Sequence, residues 1–161
     1  MAYLNEIARR VLPEHIKLVE KASVSLRWEI EQDVETGLTY IHMIGGKGVG
    51  KSDPYLLRLE FDNYPAQPPS ALFVNQETRD RGSIQEQHSF WPIFNKQPPA
   101  ISITTDNKVG GLYLCYPYTY EFEVTHDKSQ HRWNPSNHHI LTTLIILQKE
   151  MSGQGYGRYS T

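Results

Sequence analysis

Cys115 is the one cysteine in the chain, and it closes the stretch Gly111-Leu112-Tyr113-Leu114-Cys115. A cysteine thiolate is a strong nucleophile toward acyl and other electrophilic carbon and forms a covalent intermediate there. Thiol is both a good nucleophile and a good leaving group, so the intermediate is formable and reactive. The opposing reading is an inert core thiol, because Cys is among the most buried residue types. Two histidines follow Cys115, His126 and His131, with Asp127 beside the first. Either one can deprotonate an attacking amine or perturb the thiol; the plainer alternative is a pair of solvated loop histidines. His138 and His139 stand at the opening of an apolar helix. Adjacent helical residues point about 100° apart, so this pair does not make one metal site, and no zinc or other cofactor is expected.

Gly45-Gly46-Lys47-Gly48-Val49-Gly50-Lys51-Ser52 matches the phosphate-loop pattern G-x-x-x-x-G-K-[ST]. A working phosphate loop opens a helix at its Lys-Ser pair. Here Asp53-Pro54 follows at once and the next residues alternate as a strand. The expectation is a glycine-rich hairpin turn that matches by chance, with a nucleotide-binding protein as the remote alternative.

The elements that must carry these residues are legible in outline. Leu4, Ile7, Val11, Ile16, Leu18 and Val19 suggest an amphipathic helix that Pro13 breaks or restarts. Val24, Leu26, Trp28 and Ile30 alternate with Ser25, Arg27, Glu29 and Glu31, which predicts a half-buried antiparallel strand. A turn at 33–37 leads to strands over 38–44, over 55–62 and over 71–74. Residues 75–99 read as polar and irregular, with Phe90-Trp91-Pro92-Ile93-Phe94 as an aromatic anchor. Long segments of this kind are often functional. Ile101 and Ile103 mark a short extended piece leading to Cys115, and the last helix runs from about Asn137 to Met151. The expected class is α+β: an N-terminal helix, a four-stranded antiparallel meander, an active-site segment and a C-terminal helix. Residues 1–152 read as one domain and 153–161 as a flexible tail.

At 161 residues, with 39% hydrophobic and 21% charged content, the chain is expected to build one core as a soluble globular protein. A net charge of −2 gives no basic surface, so nucleic acid is a poor partner. No run of 18 apolar residues predicts a membrane helix, and the first residues do not read as a secretion signal. With a single thiol, the expected setting is cytoplasmic.

The ordered set of motifs resembles the ubiquitin-conjugating (E2) family over nearly the whole chain. The set is the meander, Tyr64-Pro65-Ala66-Gln67-Pro68-Pro69, then Cys115, then Arg132-Trp133-Asn134-Pro135 and the helix beginning Ile140-Leu141. The resemblance implies an E2-like fold with Cys115 as the acyl-carrying nucleophile. Departures are visible. Thr105-Asp106-Asn107 stands where the family has His-Pro-Asn, so Asn107 alone is kept. The stretch from Cys115 to Trp133 is longer than usual, and two C-terminal helices of many eukaryotic members are missing. Asn107 is then a candidate donor to the oxyanion, or simply a turn residue.

The compact form is similar to E2-like proteins of bacterial antiphage operons. That similarity implies a protein partner with an activated C-terminus, either a ubiquitin-like protein or a nucleotidyltransferase of cyclic-oligonucleotide signalling. An E1-like activating enzyme is a further implied partner. The competing reading is an E2-fold binding module whose cysteine is idle.

Overall fold

A computed structural model describes residues 4–46, 52–94, 102–126 and 132–158. The first helix, α1 (Glu6–Leu26), begins at Asn5, whose side chain accepts from Ala8 N at 2.8 Å. Its buried residues Ala8, Leu12, Ile16 and Val19 recur at the helical period. Pro13 lies inside it and does not break it. The helix continues to Leu26 and stops at Arg27, in the left-handed region at φ 57°. This corrects the strand expected from Val24 onward. Strand β1 is only Glu29–Gln32, and Val24 is 84% exposed on the last turns of α1. The alternation there was compatible with a strand, but the helical stripe decides the backbone.

Strands β2 (Thr39–Gly45), β3 (Asp53–Glu60) and β4 (Ser70–Val74) complete an antiparallel sheet in the order β1-β2-β3-β4. Register places Ile41 opposite Leu57 and Leu57 opposite Phe73, a continuous apolar row across three strands. Such cross-strand neighbours fix register, because a one-residue slip would turn the whole row to the other face. Leu12, Ile16 and Val19 of α1 join this row in a single core with Leu144, Leu147 and Met151. These last three belong to helix α4 (Ile140–Met151), which starts three residues later than the apolar pattern suggests. Gly45 and Asp53 are paired across β2 and β3, so the chain that follows Ser52 enters a strand and not the helix of a phosphate loop. Residues 47–51, Lys51 among them, lie outside the described residues.

Within the segment expected to be irregular, a short helix α2 (Ile84–Phe90) and strand β5 (Pro92–Phe94) form. Ser83 and Glu86 make a reciprocal capping box that starts α2. Trp91 is fully buried and meets Phe73 edge to face at 5.5 Å. Strand β8 (Tyr156–Arg158) pairs with β5, so part of the expected tail is ordered. Tyr156 is the reason: its hydroxyl donates to Asp53 Oδ2 at 2.5 Å and lies 2.6 Å from the Tyr55 hydroxyl. Its ring occupies the space above Gly45, where an added Cβ would come within 2.7 Å of it. A hairpin of β6 (Ser102–Asp106) and β7 (Gly111–Cys115), followed by helix α3 (Tyr120–Thr125), completes an α+β architecture. Among the described residues no helix is long and apolar enough to cross a membrane.

Gln148 pins α4 to the sheet. It accepts from Trp28 Nε1 at 2.7 Å and donates to Ile44 O at 2.8 Å. Gln148→Leu leaves that indole N–H and that carbonyl without their partner, and is expected to destabilise the fold by about 1–3 kcal/mol in urea denaturation. An unchanged midpoint and slope would show that the pair of bonds is dispensable.

Candidate active site

Positioning begins with the hairpin. Arg81 donates through Nη1 to Val109 O and through Nη2 to Leu112 O at 2.9 Å. The buried Gln87 of α2 accepts from Leu112 N at 3.1 Å. Both side chains lie against Gly111, whose φ of 146° suits glycine and whose neighbours stand 3.1–3.3 Å from where a Cβ would be. The hairpin is therefore clamped from the 81–87 segment. On β7 the side chains alternate: Leu112 and Leu114 belong to the core, and Tyr113 and Cys115 share the opposite face.

After Cys115 the chain reverses. Tyr116 enters the core and its hydroxyl donates to Thr143 O of α4 at 2.6 Å. Thr119 is fully buried, with its hydroxyl 3.0 Å from both Leu114 O and Tyr116 O. Tyr120 N donates to Pro69 O at 3.1 Å. Glu121, 3% exposed, then accepts from the Ser70 hydroxyl and from Ala71 N at 3.3 Å. These contacts dock α3 on β4 and aim its last turn back at β7.

The result is a thiol facing an imidazole. Cys115 Sγ is partly exposed and lies 3.5 Å from His126 Nε2. The His126 ring stacks on Phe122, one turn earlier, with centroids 4.2 Å apart and planes within 10°. Its Nδ1 lies 2.9 Å from Thr125 Oγ1, and that oxygen lies 3.2 Å from the Tyr113 hydroxyl. Tyr113 reaches Cys115 as well, and its phenol is pushed up from its ordinary value, chiefly by burial, with the neighbouring thiol adding to the shift. In chemical terms this is a thiol and an imidazole in contact at a half-open edge, a pair able to serve as nucleophile and proton acceptor.

Two motifs far apart in sequence meet beside α3. Trp133 donates through Nε1 to Pro65 O at 2.6 Å, and its backbone N donates to Glu123 Oε1 of α3 at 3.4 Å. Tyr64 and Pro65 are joined by a cis peptide bond, and the buried Tyr64 packs on Trp133 and bonds His15. His138 accepts from Asn134 N at 3.0 Å and meets Tyr118 at 4.7 Å, while His139 faces His15 at 5.4 Å. Burial and the nearby His139 hold His15 below its ordinary value. Among the described residues no group of three or more His, Cys, Asp or Glu side chains is placed to hold a metal.

Of the residues expected from sequence, Cys115 and His126 are together, and His131 lies outside the described residues, as does Asp127. Asn107 is not with them. Ser102 pairs with Cys115 at one end of the hairpin and Asp106 pairs with Gly111 at the other, so Asn107 stands exposed at the tip. Four ladder positions separate that tip from the thiol, about 13 Å at the strand rise. The turn, closed by Lys108 N donating to Asp106 Oδ1 at 2.6 Å, accounts for the residue. Sequence reading missed Tyr113 and Thr125. Tyr113 was signalled by its i, i+2 spacing from Cys115; Thr125 carried no signal, because its contact depends on the fold-back of α3. No protein-family model, curated protein or solved structure matches the chain.

Two outcomes follow from this geometry. Asn107→Ala is expected to leave the aminolysis rate of a thioester formed on Cys115 within about twofold of wild type, since loss of an oxyanion donor in contact would slow that step by about 10²-fold or more. Glu121 gives a pH test. Burial, as the largest influence, raises its carboxyl above the ordinary value of 4.5, against the Ser70 and Ala71 bonds that lower it. A folded-state value above the unfolded one means that its contribution is fully present below the unfolded value and fades as pH rises through the folded value. Glu121→Gln removes that titration. The variant should lose less melting temperature than wild type between pH 4 and pH 8. Parallel melting curves across that range would contradict the assignment.

Proposed function

We propose that this protein is an E2-like acyl carrier: Cys115 takes an activated C-terminus as a thioester and passes it to an amine. The observation that carries this reading is the 3.5 Å contact between Cys115 Sγ and His126 Nε2 at a partly exposed strand end. An inert structural thiol needs no imidazole beside it, whereas a reactive one sits in such surroundings. The motif order that resembles the E2 family supports the same reading, as does the meeting of the Tyr64-Pro65 and Trp133 motifs beside α3.

In the loading step the thiol proton passes to His126 Nε2, the thiolate attacks the acyl carbon and expels its activating group, and His126 gives the proton up to that departing group or to water. In the discharge step an amine attacks the thioester, His126 takes a proton from the nitrogen, and the Cys115 thiolate leaves. The product is an amide. From the resemblance, the carried C-terminus belongs to a ubiquitin-like protein or a nucleotidyltransferase, and the setting is bacterial antiviral defence.

Cys115→Ala should abolish conjugates in cells without lowering the melting temperature by more than a few degrees. Cys115→Ser should trap the cargo as an ester, visible as a stable adduct at residue 115. His126→Ala should slow discharge of loaded protein by roughly 10²-fold, the usual size of a general acid–base contribution. Full conjugation by the Cys115→Ala variant would end this reading.

A further inference from the structure

We infer that Thr125 is a positioning residue that fixes the tautomer of His126, so that the imidazole meets Cys115 with an unprotonated Nε2. This rests on reading Cys115 and His126 as the reacting pair. Four groups surround the Thr125 hydroxyl oxygen. Glu121 O lies at 2.9 Å, Phe122 O at 3.4 Å, the Tyr113 hydroxyl at 3.2 Å and His126 Nδ1 at 2.9 Å.

A hydroxyl has one hydrogen to donate and two lone pairs to accept with. The two carbonyls can only accept, so the short contact with Glu121 O uses the Thr125 hydrogen. That is the ordinary bond of a threonine to the carbonyl four residues earlier in a helix. The Tyr113 hydroxyl lies on the accepting side of the same Thr125 hydrogen, so a Thr125 lone pair is left facing His126 Nδ1. Nδ1 must then donate. His126 therefore carries its hydrogen on Nδ1, and the lone pair of Nε2 points toward Sγ at 3.5 Å.

The alternative tautomer would put N–H against the sulfur. It would stabilise a thiolate already formed, yet it could not take the thiol proton. In the tautomer selected by Thr125 the S–H bond breaks as the Nε2–H bond forms, leaving a thiolate and an imidazolium whose Nδ1–H still bonds Thr125. Stacking on Phe122 holds the ring plane while this occurs. The logic is that of the third member of a nucleophile–base–orienter set, supplied here by a hydroxyl in place of a carboxylate.

The test is nitrogen-15 NMR of the His126 ring in the reduced full chain, at a pH where the imidazole is neutral, with the signals identified by their loss in His126→Gln. Wild type and Thr125→Ser should show the hydrogen on Nδ1, and Thr125→Val should shift population to the Nε2–H form. Alkylation of Cys115 by iodoacetamide at neutral pH should slow by about tenfold in Thr125→Val and recover in Thr125→Ser, following the available thiolate. A wild-type protein with its hydrogen on Nε2 would overturn the inference, and so would a Thr125→Val variant with an unchanged tautomer. The wild-type spectrum decides even where the valine variant fails to fold. No conjugation is needed for these readouts, so their failure leaves the carrier reading standing. An Nδ1–H tautomer in a protein that never forms a Cys115 thioester would remove the carrier reading alone.

Discussion

The contact between thiol and imidazole depends on a chain reversal, and the reversal depends on one buried carboxylate. Glu121 sits almost wholly out of solvent and takes the Ser70 hydroxyl and Ala71 N of β4. An acid in that position is held there by its bonds, since removing a buried charge-capable group from its partners costs more than the bonds gain. Tyr116 and Thr119 set the path into the reversal through Thr143 O, Leu114 O and Tyr116 O. With α3 anchored this way, its last turn delivers His126 to the end of β7. Without it, Cys115 and His126 are merely residues eleven apart in sequence.

A second constraint acts from the other side. Arg81 and Gln87 hold the hairpin by its backbone, at Val109 O, Leu112 O and Leu112 N. The hairpin and α3 are thus fixed independently, one to the 81–87 segment and the other to β4, and the site forms where the two meet. Groups held by separate rigid supports need little rearrangement to react with one another. The edge itself stays half open, so the thiol is within reach of a partner.

How much of this was legible depended on what each element is made of. Strands β2 and β3 carry apolar residues at period two and β4 is a short continuous apolar run, so they stood out. The end of α1 did not, because Val24 to Ile30 alternates like a strand, and Leu26, Trp28 and Ile30 are more buried than their neighbours even though the helix runs to Leu26 and leaves Val24 exposed. Helix α2 has seven residues, of which Gln87 is buried, so no apolar stripe announced it; the Ser83-to-Glu86 capping box was the available signal. Strand β8 was hidden by the glycines around Tyr156, whose role lies in its contact with Asp53. At the site, Cys115 and His126 were visible as residue types. Their contact was not, because it is made by the reversal. For Asn107 the motif position suggested proximity to the thiol, whereas the hairpin register places it at the far end.

Intact-mass spectrometry of protein isolated from cells tests most directly whether Cys115 carries an acyl group, as we propose. The expected result is a covalent adduct mapped to Cys115 that hydroxylamine removes at neutral pH, as it does a thioester. An adduct absent under all conditions of active conjugation, or one released by reductant and untouched by hydroxylamine, would contradict it.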